Sequence, residues 1–164
     1  MRILETVSAF AARVTRWMVI GAAAVMIASL ILQIFFRYVV GASLVWSEEL
    51  ALFLFTWVVL LAGSLGVREG FHVRLTLFRD FLPPRGRWGL DLIGHLIAGF
   101  FGGLVVFSGY HYLDATLGQV SAAVRYPIEY LHVAAPVCGA LIVLHTLAHL
   151  AGMVFPGNGG ARHE

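Results

Sequence analysis

The sequence predicts an all-α integral membrane protein with four transmembrane helices, an N-terminal amphipathic interfacial helix and both termini on the cytoplasmic side. Three observations carry this reading. Of 164 residues, 60% are hydrophobic and only 12% are charged, with a mean hydropathy of +0.87. A soluble domain carries about 25% charged residues, so this chain lacks the polar surface to face water on all sides. Apolar segments recur that are long enough to cross a hydrocarbon core of about 30 Å, which takes about 20 helical residues. The basic residues, all arginine, are shared unequally between the two sides those segments define.

Taken in order, residues 2–16 come first. Ile3, Val7, Phe10, Val14 and Trp17 recur at alternating spacings of four and three, which makes a stripe down one helix face. Arg2, Glu5, Arg13 and Arg16 fall off that stripe. This pattern predicts a helix lying in the membrane interface before the chain turns into the bilayer. The first span, 17–36, carries no charge and is followed by Arg37 and Tyr38 rather than a small-residue cleavage site. It therefore reads as a retained helix and not as a signal peptide. The second span is 49–67; the third, 88–112, has Asp91 near its start; the fourth, 128–155, holds Pro136, which is placed to kink it. In the loop 68–87, apolar and basic residues alternate over His72–Phe78 before Pro83-Pro84, so it is expected to hug the headgroups until the prolines stop it. Residues 1–155 form one membrane domain, and the glycine-rich tail 156–164 is expected to be disordered.

Orientation follows from the arginines. With the N-terminus cytoplasmic, nine of the eleven fall on that side, and only Arg37 and Arg125 fall outside. The net charge of +2 is too small and too dispersed for nucleic acid. Cys138 stands alone, so no intrachain disulfide forms.

The candidate functional residues lie at the helix ends. Outside, Arg37 precedes Trp46, Ser47, Glu48 and Glu49. Ser47 reads as an N-cap of the second helix, and the carboxylates after it complement the helix dipole. A strict capping box is absent because Leu50 stands at the third position after Ser47. Trp46 suits an interfacial belt. These residues read as a capped helix start neutralised by Arg37, and equally as a polar contact for a partner at the outer face.

Histidine is the next candidate. Asp91 and His95 share a face of the third helix, and His145 and His149 share a face of the fourth. The two helices are antiparallel, so both pairs sit at similar depth near the cytoplasmic end. Polar groups in lipid need partners. These residues could hold a metal or, through His95 and His145, a haem b, but hydrogen bonds between helices or to the cytoplasmic headgroups are the simpler reading. No cofactor or metal is therefore expected. His111, Asp114, Glu129 and His132 form a similar set outside and read as polar helix ends.

No nucleophile–base pair, phosphate loop or mid-membrane charge appears, which speaks against an enzyme, and against a pore or pump made of this chain alone. Small residues offer close helix packing at Gly99/Gly103, Ala62/Gly66 and Ala135/Gly139.

Gln33-Ile34-Phe35-Phe36-Arg37-Tyr38-Val39, followed by Trp46-Ser47-Glu48-Glu49-Leu50, resembles the signature of the small, Q-type permease subunit of TRAP (tripartite ATP-independent periplasmic) transporters. The likeness continues through Gly66-Val67-Arg68-Glu69-Gly70, His72-Val73-Arg74, Leu82-Pro83-Pro84 and Pro136. It covers about residues 17–150. This resemblance implies a four-helix subunit in a bacterial or archaeal inner membrane. Such a subunit scaffolds a large permease subunit and helps a periplasmic solute-binding protein to dock, for sodium-coupled uptake of an organic acid. It also implies that Arg37, Trp46, Ser47, Glu48 and Glu49 belong to the docking end. The alternative reading is a four-helix membrane cytochrome built on His95 and His145.

Overall fold

A computed structural model describes residues 2–42, 44–70 and 84–154. The regular elements of the described chain are all helical: α1 (Arg2–Phe35), a π-helical turn (Phe36–Val40), α2 (Val45–Arg68), α3 (Pro84–Ala115), the short α4 (Glu129–His132) and α5 (Ala134–Val154). Among the described residues, four helical stretches are long and apolar enough to cross a membrane: Ile3–Val40, Val45–Arg68, Gly86–Ala115 and Glu129–Met153. The expected headgroup-hugging stretch at His72–Phe78 and the tail 156–164 lie outside the described residues.

The helices stand in a row. α1 packs chiefly on α2, α2 on α5, and α5 on α3. α2 and α5 are inner and α1 and α3 outer, which is why 28% of the apolar window is buried in each inner helix but only 6% in each outer one. A row of this kind leaves two broad apolar faces open, as lipid permits and water does not.

One expectation is corrected in α1. The sequence turns the chain between an interfacial helix and the first span near Trp17, but α1 runs unbroken from Arg2 to Phe35. No Gly, Pro or capping side chain stands between Val14 and Ile20 to end a helix there, except Thr15, and its side chain is buried. Ser8, Ala12, Thr15, Val19, Ala22, Met26, Ser29 and Gln33 also recur at spacings of four and three, and all are buried or half-buried. This seam carries α1 along its neighbours from end to end. The amphipathic stripe therefore faces away from the protein, with Ile3 79% and Trp17 69% exposed. At about 1.5 Å per residue the helix is about 51 Å long, so part of it projects beyond a 30 Å hydrocarbon core or is tilted within it.

α1 ends in the π-helical turn, closed by Gly41 at φ 75°, whose N–H bonds the Phe36 carbonyl. Such a left-handed C-cap suits glycine. Pro136 acts where expected. It has no N–H for the His132 carbonyl, and the helix is interrupted at Val133, between α4 and α5.

The α3–α5 contact is made backbone to backbone. A Cβ on Gly139 would lie 2.7 Å from the Gly102 carbonyl oxygen and 2.8 Å from Val106 N, and one on Gly109 would lie 2.8 Å from Pro136 Cδ. Gly99 is close to Thr146. The expected Gly99/Gly103 pair is thus corrected to Gly99 and Gly102: Gly103 is exposed, with nothing within 4 Å of a built Cβ, because it lies about 100° round the helix from Gly102, at the flank of the contact. Ala135 faces Gly109. Ala62 is exposed and Gly66 half-buried, so that pair is not a tight seam within the chain.

Replacing Gly139 by Val should force α3 and α5 apart and lower stability by about 1–3 kcal/mol. Gly103→Ala should be neutral or up to about 1 kcal/mol stabilising. Thermal unfolding of both variants in detergent checks the contrast.

Candidate functional site

At the end of the row that holds the N-terminus, four helices meet in a polar junction. His145 and Ser8 are both fully buried, and the Ser8 hydroxyl lies 2.8 Å from His145 Nδ1. The Arg68 guanidinium also donates to the Ser8 hydroxyl. Arginine can only donate, so Ser8 accepts from it, and the direction of the Ser8–His145 bond follows the His145 tautomer. His145 Nε2 has no partner among the described residues. His149 Nε2 donates to the Arg68 carbonyl at 2.9 Å, and the His149 ring stacks on His95 at 4.9 Å between centroids and 11° between planes. Arg16 on α1 pairs with Glu69 just beyond α2 at 2.5 Å, at the exposed rim.

The four residues read together from sequence are thus divided. His95 and His149 meet between α3 and α5, whereas His145 turns toward α1 and α2. Asp91 lies one turn before His95 on α3. Among the described residues no group of three His, Cys, Asp or Glu is arranged to hold a metal. Sequence reasoning missed Ser8 and Arg68 here. The spacing of four and three that joins Ser8 to Ala12 and Thr15 was the available signal.

The opposite end contains the residues expected to meet a partner. α2 begins at Val45 with extended Leu44 as its N-cap, so Ser47 is not the cap. Its side chain is fully buried and donates to the Leu44 carbonyl at 2.7 Å, which takes it away from any outer surface. The expected ion pair with Arg37 is also corrected. Glu48 accepts from Gln33 Nε2 at 2.7 Å, which ties α2 to α1. Glu49 accepts from the backbone N–H groups of Val124 at 2.7 Å and Ala123 at 3.4 Å. Other donors thus occupy both carboxylates. Arg37 is exposed in the π-helical turn, and Trp46 is 43% exposed.

Glu49 thereby holds the loop between α3 and α4. Glu129 accepts from Gly118 N at 2.9 Å, Thr116 Oγ1 lies 2.7 Å from His132 Nδ1, and Tyr126 packs edge-on against Phe53 at 5.5 Å. Burial and the Glu49 charge push the Tyr126 phenol above its usual value. Between this loop and α2 lies an apolar groove of about 400 Å³ lined by Trp46, Leu50, Phe53, Val124, Tyr126 and Tyr130.

Residues 26–155 match the family described as tripartite ATP-independent periplasmic transporters, DctQ component. The chain belongs to this family. It is 28% identical over 138 residues to the sialic acid TRAP transporter small permease protein SiaQ of Vibrio cholerae, covering 80% of this chain and 76% of the relative. It is 25% identical to the C4-dicarboxylate TRAP transporter small permease protein DctQ of Rhodobacter capsulatus, covering 71% of this chain and about half, 52%, of the relative. Against the isethionate TRAP transporter permease protein DctMQ of Oleidesulfovibrio alaskensis it is 27% identical over 70% of this chain, which spans 18% of that longer protein. A DctQ component belongs to a transport family rather than an enzyme family, and with its four candidate spans this chain is a multi-pass inner-membrane protein.

The cytochrome alternative is corrected by the same residues. His95 is stacked on His149 between α3 and α5, His145 turns instead toward Ser8 on α1, and α3 touches α5 at Gly99 and Thr146 one turn from His95. A porphyrin has no slot between helices this close. The purified protein should show no Soret band; a band lost in His95→Ala would reinstate the cytochrome.

If the junction joins α1 to α5 through Ser8 and His145, a double-mutant cycle of Ser8→Ala and His145→Phe should give a coupling of about 0.5–2 kcal/mol. Unfolding in mixed detergent measures it, and additive effects would show that the bond contributes nothing.

Proposed function

We propose that this DctQ-family chain scaffolds a large permease subunit and helps a periplasmic solute-binding protein to dock, in sodium-coupled uptake of an organic acid. The observation that carries the reading is the family match over residues 26–155, on helices that hold no charge between Trp17 and Phe36 or between Leu50 and Val67. Ion-coupled translocation needs polar groups or broken helices at mid-depth, and a chain with such plain interiors fits a supporting part. The broad apolar faces left open by the row of helices fit a membrane-embedded neighbour. The fused name DctMQ supports a joined large subunit. The relatives are named for sialic acid, C4-dicarboxylates and isethionate, all anionic solutes, and this supports an organic acid as cargo.

The arginine distribution supports cytoplasmic termini, with the α3–α4 loop and the π-helical turn in the periplasm. On that orientation Arg37 and Trp46 remain available for docking. The Glu48 and Glu49 carboxylates serve inside the chain, bonded to Gln33 and to the loop.

Proteoliposomes holding this chain alone should take up no solute. Those holding it with the large permease should take up an organic acid when the loaded solute-binding protein and an inward sodium gradient are supplied, and not when choline replaces sodium. Uptake by the chain alone would overturn the supporting role.

A further inference from the structure

We infer that Glu49 is a positioning residue: it holds the α3–α4 loop in the shape that the solute-binding protein meets, and so presents Arg125 to that partner. The inference rests on the docking role proposed above.

The loop is defined almost entirely by its own backbone and by α2. Ser121 N donates to the Tyr126 carbonyl at 2.9 Å, Tyr126 N to Ser121 Oγ at 3.2 Å, and Ile128 N to the Gln119 carbonyl at 3.0 Å. Within the turn so closed, the N–H groups of Ala123 and Val124 point to the Glu49 carboxylate, which the Ser121 side chain also reaches. The residue that follows, Arg125, has φ 59°. A side chain without Asn or Asp chemistry seldom takes that left-handed conformation, and it persists only where neighbours over-determine it. Here the neighbours are Glu49 on one side and, on the other, Tyr126 wedged against Phe53.

Arg125 is the only charged residue from Thr116 to Ile128, and it is exposed. Its complement on a soluble partner is a carboxylate. The loop lies between the end of α3 and the start of α4, outside the helical spans. Water can replace Glu49 as acceptor for the two amides, so its loss frees the loop without unpacking the helices. Binding then has to order the loop, a cost that a preformed loop avoids.

The test uses the small and large subunits co-purified and reconstituted, with amide hydrogen exchange and with uptake titrated against loaded solute-binding protein. Glu49→Ala should speed exchange at Ala123 and Val124 at least tenfold and leave residues 58–66 and co-purification unchanged. It should also raise the half-saturating concentration of binding protein about fivefold or more at an unchanged maximal rate. Ser121→Ala, which leaves α2 intact, should shift both readings in the same direction by less. Arg125→Glu should raise half-saturation without faster exchange at residues 116–121. Normal half-saturation in Glu49→Ala, or unaltered loop exchange, overturns the proposal. Wild-type uptake that does not respond to the binding protein would instead overturn the docking role itself.

Discussion

The approach of α3 to α5 at Gly102 and Gly139 sets the geometry on which the remaining structure depends. Lipid supplies no hydrophobic drive between helices, so association rests on close van der Waals contact and on polar bonds between helices. Glycine allows a backbone carbonyl to sit where a side chain would otherwise stand. With α3 and α5 brought this close, His149 on α5 stacks on His95 of α3 while its Nε2 reaches the end of α2 at the Arg68 carbonyl. The same approach holds α3 and α5 together at the other end, where α3 hands over to the loop that Glu49 grips. Each end of the row is thus closed by polar bonds and its middle by small residues.

This division explains why the chain tolerates so much open apolar surface. Most of a soluble domain's stability comes from burying side chains, whereas here many large apolar residues are exposed and the fully buried positions among the described residues are small or polar: Ser8, Ser47, Ser64, Ala134, His145 and Thr146. The inward face is specified by shape and hydrogen bonding, and the outward face by oil solubility. Ser64 and Ser47 turn their hydroxyls to carbonyls three residues back on their own helix, which lets them be buried without asking anything of a neighbour.

Much of the fold is written in hydropathy, and the spans fall near where runs such as Trp17–Phe36 and Leu50–Val67 predict. Residues of α1 were harder to read because two stripes share the same spacing. Ile3, Val7, Phe10, Val14 and Trp17 are the conspicuous set, but Ser8, Ala12 and Thr15 face the protein. A hydropathy argument selects the wrong face when the competing solvent is lipid. Gly102 was passed over for Gly103 for a related reason: a spacing of four marks a face, but the partner helix decides which face is used. The carboxylates were legible as polar helix-start residues, and their partners were not. Val124 is 75 positions from Glu49 and offers a backbone N–H, which no residue type announces.

That last bond changes how the outer end is understood. A carboxylate read from sequence is naturally taken as a feature for others to recognise. In this chain Glu48 and Glu49 are both spent on internal order, one on α1 and one on the loop, while the side chains left outward are Arg37, Trp46 and Arg125. An exposed ion pair contributes little because both charges stay hydrated. Backbone N–H groups held on a carboxylate give directional, charge-assisted bonds, and they fix main-chain shape over several residues at once. In the docking role proposed above, fixing shape would serve more than displaying charge, because a soluble partner that binds and leaves then meets a preformed surface. The bonds from α2 to Gln33 on one side and to the loop on the other make α2 the element that fixes the shape of this end.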